Sequence, residues 1–282
     1  MKKLLLLCCL LPVLASAQNF YFATRFGLSG YKGDLKNNLN PFSQPKLMGS
    51  LGVHYDLTEH ITARTYFTLA GLRGDDKKGK GYMKNRNLNF QTKVFDVELS
   101  AQYNIFSLNT RWWTPYVYAG IGLYHFRPFT KDAAGERVYL QPLATEGQSK
   151  PYKLTQFSIP LGFGASYSLG EDMRVGIEAG YRKLFTDYLD DVSTVYADPA
   201  ALNSAHGPQA VDLAWRGDEV NGAPYPPAGT PRGNPKYKDG YYYIALTFVV
   251  RYWFDKYKQI AGIPGGSREK KVGCPASRAL GY

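Results

Sequence analysis

Eight segments of the chain alternate apolar and polar residues, and the connections between them alternate between long and short. In one such segment, Phe157 to Leu169, the odd-numbered residues are apolar or aromatic and the even-numbered ones are serine, glycine or proline. Since successive strand residues point to opposite faces of a sheet, each segment has one apolar face and one small or polar face. An apolar exterior and a polar interior are typical of a β-barrel that crosses a membrane.

Each segment reaches the roughly 9–11 residues that cross a bilayer at a tilt. The predicted strands cover about residues 20–30, 46–57, 61–72, 95–105, 114–126, 157–169, 173–182 and 242–254. We therefore predict an all-β fold, an eight-stranded antiparallel transmembrane β-barrel with long extracellular loops and short periplasmic turns.

The lengths of the connections predict the orientation of this barrel. The connections after the second, fourth and sixth strands are short, whereas the other connections are long and rich in glycine, proline, asparagine and charge. Outer-membrane barrels keep their short turns in the periplasm and their long loops outside. We expect a multi-pass barrel in the cell outer membrane of a Gram-negative bacterium, with both termini periplasmic. The longest loop, Thr186 to Lys238, contains seven prolines and is predicted to be ordered only in part.

The two ends of the chain differ from the barrel in composition. Residues 1–17 combine Lys2 and Lys3, an apolar run and the sequence Ala15-Ser16-Ala17, which predicts a cleaved signal peptide. The barrel domain then covers residues 18–254. Residues 255–282 are predicted to form a flexible basic C-terminal tail. This tail is either a passive extension or a hook for a periplasmic partner, with Cys274 as a thiol of unassigned role.

The net charge of +11 at pH 7 would suggest a nucleic-acid partner in a cytoplasmic protein. An exported chain rarely meets nucleic acid, so anionic lipid or an acidic partner is the better interpretation. The 23 tyrosines, 15 phenylalanines and 4 tryptophans suit the aromatic girdles of a membrane barrel.

Charged residues on the inward faces of the strands are expected to fill the lumen. The interior of an eight-stranded barrel is just wide enough for side chains. A structural network is favoured over an ion path, since buried charges need partners. The predicted lumen charges are Arg25, Arg64, Asp96, Glu98, Arg174, Glu178, Arg182 and Arg251.

No HExxH, GxSxG or Walker motif occurs in the chain, so no enzyme activity, cofactor or metal site is predicted. Three features still have a functional alternative. His125, at the end of the fifth strand, could serve a lipid-modifying enzyme, although an interfacial polar role is favoured. Asp187, Asp190 and Asp191 could bind Ca²⁺, although loop hydrogen bonding is favoured. A basic run in the second long loop could bind lipopolysaccharide phosphates. It consists of Lys77, Lys78, Lys80, Lys84 and Arg86.

Five loop segments resemble the PorG-like outer-membrane β-barrels of type IX secretion systems. They are Gly33-Asp34-Leu35, Arg86-Asn87-Leu88, residues 140–148 (LQPLATEGQ), residues 181–193 (YRKLFTDYLDDVS) and Arg232-Gly233-Asn234-Pro235. The similarity runs from about Phe20 to Phe254, and the FTDYLDD segment is its most specific part. The family-motif loop residues are Gln141, Glu146, Thr186, Asp187, Tyr188, Asp190, Asp191, Arg232 and Asn234.

The resemblance implies a non-enzymatic component of the type IX protein secretion system. Such a component scaffolds a periplasmic ring, made of a lipoprotein and its partner, without being the translocation pore. Two other functions are open: a general OmpA-like barrel for adhesion or envelope integrity, and a lipid-modifying barrel enzyme.

Overall fold

The fold is a closed antiparallel barrel, described by a computed structural model over residues 20–36, 39–40, 42–79, 81–170 and 172–251. Within these ranges the strands are β1 (Phe20–Lys32), β2 (Lys46–Asp56), β3 (Ile61–Asp75), β4 (Asn89–Asn104), β5 (Trp113–Phe126), β6 (Phe129–Lys131), β7 (Arg137–Tyr139), β8 (Thr155–Ser168), β9 (Met173–Leu184) and β10 (Gly240–Val250). Eight of them form the barrel wall in the order β3-β2-β1-β10-β9-β8-β5-β4, and the β3–β4 pairing closes it. The prediction of an eight-stranded antiparallel barrel is confirmed.

Burial along the strands follows the predicted alternation. In β4, Asp96 and Glu98 are fully buried, whereas Phe95 and Leu99 are about half exposed, at 47% and 55%. The exposed apolar residues form the outer surface of the wall, where hydrocarbon offers no hydrogen-bond partners and the closed sheet satisfies its own backbone. No helix in the described part of the chain is long and apolar enough to span a membrane.

Six of the eight wall strands extend beyond the predicted bounds on the side of the long connections, here called the loop end. β3 continues to Asp75, β4 already begins at Asn89, and the two pair along this whole length. β6 and β7 form a small hairpin that joins β4 through the pair Gln91 and Phe129. On the opposite side, here called the turn end, the connections between the described wall strands are the short ones at 57–60, 105–112 and 169–172.

The long connections fold into a compact layer over the loop end, which we call the cap. It contains the helices α1 (Tyr82–Arg86), α2 (Pro199–His206), α3 (Pro208–Ala214) and α4 (Asp218–Asn221). Leu202, Ala210 and Ala214 form a small buried cluster of their own. The expectation that residues 186–238 are ordered only in part is wrong. The helices α2 and α3 each begin at a proline, and the side chain of Asp198 caps the N-terminus of α2. Together with their buried side chains, these helices give the segment a defined structure.

The predicted signal peptide, the tail at 255–282 and Cys274 lie outside the described residues. The last predicted strand ran to residue 254. The structure places the end of β10 at Val250, and the residues after Arg251 are likewise outside the described part.

Candidate functional site

The middle of the lumen is filled by a network of three arginines and three carboxylates. Arg25 and Arg64 each contact both Glu98 and Glu178, at 2.8–3.0 Å and 2.8–3.4 Å respectively. Arg182 contacts Asp96 at 2.9 Å and Glu98 at 2.5 Å. All six side chains are buried, and their formal charges balance. Pairing of this kind is what keeps ionised groups tolerable away from water.

Tyrosines occupy the space between the charged groups. The Arg25 guanidinium lies 3.5 Å from the centre of the Tyr66 ring. The hydroxyls of Tyr116 and Tyr243 donate to Glu178 at 2.9 and 2.5 Å. Nearer the turn end, a cavity of about 10 Å³ lies beside His54 and Tyr66, which is space for about one water. The network plugs the barrel at this level.

Two of the predicted lumen charges lie elsewhere. Arg174 points inward near the turn end, where it pairs with Asp56 at 2.7 Å. Arg251 follows the last residue of β10 and pairs with Asp172 of a short turn at 3.1 Å. Arg251 is therefore at the rim of the barrel, since its strand has already ended, and neither residue joins the six-membered plug.

Glu146 and Arg232 form the centre of the cap. Glu146 Oε1 accepts hydrogen bonds from the Ser193 amide at 2.8 Å and from Arg232 Nη1 at 3.1 Å. Its Oε2 accepts from the amide and hydroxyl of Thr194, at 2.9 and 2.6 Å. Arg232 also donates to the Asp191 carbonyl at 2.5 Å. One carboxylate thus holds the β5–β8 loop against both ends of the β9–β10 loop.

Arg86 connects the first two loops to this centre. Its guanidinium pairs with Asp76 at 2.7 Å and donates to the carbonyls of Arg232 and Asp34 at 2.5 and 3.2 Å. The Asp34 carboxylate in turn accepts the amide of Asn234 at 3.1 Å. The idea that Arg86 is part of a phosphate-binding run is wrong, because its side chain is buried against Asp76. Lys77, Lys78 and Lys84 are exposed, and Lys80 lies outside the described residues.

The three aspartates of the FTDYLDD segment accept hydrogen bonds from different neighbours. Asp187 accepts from the Ser193 hydroxyl at 2.8 Å, and Asp190 accepts from the Tyr31 hydroxyl. Asp191 accepts from Thr145 at 2.6 Å and from Tyr152 at 2.8 Å. These contacts are the favoured loop hydrogen bonds. Within the described residues, no group of three or more His, Cys, Asp or Glu is placed to hold a metal ion.

Burial makes these carboxylates unusually weak acids. It raises the pKa of Asp187 to about 6 and the pKa of Asp191 to about 6, the latter against the favourable charge of Arg232. Asp190 lies near Asp239, and burial together with nearby carboxylates raises the pKa of both well above the usual range.

The remaining motif residues also pack inside the cap. The Tyr188 ring stacks on Tyr152 with centroids 4.8 Å apart, and its hydroxyl donates to Glu146 at 3.3 Å. Gln141 Nε2 donates to the Tyr152 carbonyl at 2.8 Å. The Thr186 carbonyl accepts the amide of Asp239 at 3.1 Å.

Sequence reasoning missed three residues of this site. Asp76 precedes two lysines in the sequence, yet it is fully buried against Arg86. Asp239 accepts the Leu189 amide at 2.8 Å, and Tyr152 supplies the stacking surface. These residues stand in irregular loops, where no periodicity marks a buried position.

His125 lies on the outer face of β5, as expected for an interfacial polar residue. Its Nδ1 is 2.8 Å from the hydroxyl of Thr155, its register partner on β8. Both side chains are exposed on the outside of the wall. The residue therefore does not point towards the plug or the centre of the cap.

Comparison with known proteins shows the family. The sequence matches the outer membrane protein beta-barrel domain family over residues 4–198. The chain belongs to this family, which implies localisation in the outer membrane. A search of curated proteins found no match.

Solved barrels with a similar fold are only distantly related in sequence. Neisserial surface protein A is 11% identical with a TM-score of 0.41, over 82% of this chain and 96% of that one. Ail, the attachment invasion locus protein of Yersinia pestis, in complex with a heparin analogue, is 9% identical with a TM-score of 0.40, over 82% and 97%. The outer membrane enzyme PagL is 13% identical with a TM-score of 0.33, over 82% and 98%.

Proposed function

We propose that this chain is a PorG-like, non-enzymatic component of a type IX secretion system, which anchors a periplasmic ring to the outer membrane. The observation that carries the proposal is the convergence of the five loop segments on which the resemblance rests. Asp34, Arg86, Glu146, Asp191 and Arg232 stand in those five segments, and one network of buried contacts joins them. Segments that build one folded unit together are a more specific match than strand alternation.

The plugged lumen supports a scaffold over a conduit. Six buried charges and their tyrosines fill the middle of the barrel, so a folded or extended cargo chain has no path through it. In this proposal the loop end faces outside and the turn end faces the periplasm, where it meets the ring lipoprotein and its partner.

Site-specific photo-crosslinking tests this proposal in cells that carry the secretion system. A photoreactive residue at Glu59 or Thr110, both exposed in turn-end connections, should crosslink to ring components. The same probe at Asn203, exposed on α2 of the cap, is the matched control and should not. If only the probe at Asn203 formed crosslinks, the result would instead support cargo handling at the cell surface. Absence of ring components from all three positions would overturn the proposal.

The family match supports a general OmpA-like barrel for adhesion or envelope integrity equally well. Deletion of the chain separates the two functions. A secretion component predicts that cargo proteins accumulate in the periplasm after deletion. An OmpA-like barrel predicts normal secretion with altered adhesion or detergent sensitivity.

A further inference from the structure

A groove crosses the outside of the wall at the loop end, between β2, β3 and β4 and beside the β6–β7 hairpin. It has a volume of about 550 Å³, and its apolar floor includes Leu47, Leu69, Phe95 and Phe129. We call it the rim groove. Leu47, Leu69 and Phe95 are 64%, 48% and 47% exposed, so they belong to the lipid-facing surface of the barrel.

In the middle of the rim groove β3 carries a glycine, which leaves room for a lysine side chain from β2 to cross it. Gly71 has an outward position, and the Lys46 side chain passes directly over it: a Cβ at Gly71 would lie 3.0 Å from the Cβ of Lys46. Lys46 thereby reaches across β3 to Gln91 of β4, where its Nζ donates to Oε1 at 3.1 Å. An ammonium group with one hydrogen bond has two further N–H groups to donate.

Two more cations border the same groove. Lys93 is the register partner of Gly71 on β4 and is exposed. Arg137 of β7 is exposed, and its guanidinium lies 4.3 Å from the centre of the Phe129 ring. Of the described residues that line the groove, none is acidic. Three cations therefore stand above an apolar floor at the edge of the lipid-facing band.

A second groove on the wall shows that this arrangement is particular to the loop end. That groove lies near the turn end and is lined by Trp112, Trp113, Tyr167 and aliphatic residues. None of its described lining residues is charged. Both grooves suit acyl chains, but only the rim groove offers partners for an anionic head group.

We infer that the rim groove binds a phosphorylated glycolipid of the outer leaflet, with its phosphates on Lys46, Lys93 and Arg137 and an acyl chain along the apolar floor. Charge-assisted hydrogen bonds from lysine and arginine are the usual means of holding phosphate. The apolar floor continues into the exterior of β3 and β4, which suits acyl chains attached to the same molecule. The inference rests on the outward orientation of the loop end proposed above.

Native mass spectrometry of the full chain in nonionic detergent tests the site, with bisphosphorylated lipid A as the probe. The triple variant K46Q/K93Q/R137Q should lower the affinity about tenfold or more, since each charged hydrogen bond lost is worth a sizeable part of the binding. The matched control K77Q/K78Q/K84Q removes three exposed cap charges and should bind within about twofold of wild type. Retained heat-modifiable migration on gels shows that each variant is folded.

A second variant tests the contribution of the apolar floor independently of the three cations. The double variant L69A/F95A keeps every cation but removes part of the apolar floor, and it should weaken binding several-fold. Lipid A without phosphates should bind wild type as weakly as bisphosphorylated lipid A binds the triple variant. Unchanged binding by the triple variant, equal loss in the control variant, or full binding of dephosphorylated lipid A would each overturn the inference. The assay contains no secretion component, so its result is independent of the crosslinking test above.

Discussion

Nη1 of Arg232 lies 3.1 Å from Oε1 of Glu146, although the two residues are 86 positions apart in the sequence. Both side chains are buried, at 2% and 0% exposure. This pair fixes the β5–β8 loop to the β9–β10 loop, and the Ser193 and Thr194 amides on the same carboxylate tighten that junction. The cap therefore depends on a small number of buried polar contacts between distant segments.

Glu146→Gln is expected to loosen the cap while the barrel stays folded. The amide keeps the size of the side chain but leaves the Arg232 charge poorly compensated and presents an N–H group to Ser193 or Thr194. The cost is about 2–3 kcal/mol of local stability. Limited trypsin digestion should then cleave within residues 186–239 much faster than in wild type.

The control for this experiment is Glu219→Gln. Glu219 also pairs with an arginine, Arg216 at 2.7 Å, but its side chain is 39% exposed. Because the Glu219 carboxylate keeps its contact with solvent, its loss should cost less than loss of the buried Glu146 carboxylate, and digestion should be accelerated much less than in Glu146→Gln. Equal protection of Glu146→Gln and wild type would show that the cap does not depend on the Glu146 carboxylate.

The stability of the cap should rise as the pH falls from 8 towards 5. Burial raises the pKa of Asp187 to about 6, whereas an aspartate in an unfolded chain has a pKa of about 4. The folded state therefore binds the proton more tightly, and this contribution to stability is lost as the pH rises through about 6. Asp191, with its pKa also raised to about 6, acts in the same direction.

Hydrogen exchange of residues 186–239, corrected for the intrinsic pH dependence of exchange, measures this effect. Asp187→Asn replaces the titrating group by a neutral one and should reduce the difference between pH 5.5 and pH 8. Asp218→Asn, at an exposed position of α4, is the matched control. Protection that increases with pH in wild type would contradict the assignment.

Glu178→Gln should destabilise the barrel itself. Glu178 accepts from Arg25, Arg64, Tyr116 and Tyr243, so loss of its charge leaves the plug with an uncompensated positive charge. Breaking a buried ion pair from one side costs about 3–5 kcal/mol. The urea midpoint of the folded form, read from heat-modifiable gel migration, should fall accordingly.

Glu136→Gln is the control for the plug variant, because Glu136 is exposed in the turn of the β6–β7 hairpin. Its midpoint should match that of wild type. A Glu178→Gln barrel with an unchanged midpoint would mean that the lumen charges contribute nothing to stability.

The sequence was sufficient to predict the barrel because every wall strand repeats the same two-residue period. The inward positions of Arg64 and Glu98 follow directly from that period. The cap follows no period, and its order comes from contacts such as Arg86 with Asp76 and Glu146 with Arg232. Such pairs depend on where the ends of the strands place the loops in space. One sequence alone contains no signal that links residue 146 to residue 232.

Gly180→Ala should impair the barrel, because this glycine makes room for the plug. A Cβ at Gly180 would lie 2.3 Å from the Tyr118 hydroxyl and 2.4 Å from the Tyr243 ring. These two hydroxyls are hydrogen-bonded to each other at 2.7 Å, so the rings cannot simply turn away. Overpacking of this kind costs about 1–3 kcal/mol, and the urea midpoint should fall.

Gly49→Ala is the matched control, since it makes the same chemical change in the same wall. Gly49 lies on β2, and a Cβ there would have no heavy atom within 4 Å. Its midpoint should equal or slightly exceed that of wild type, because alanine has less conformational freedom to lose on folding. If both variants behaved alike, the tyrosines would have to be mobile in the lumen, and the barrel would not be plugged by a fixed network.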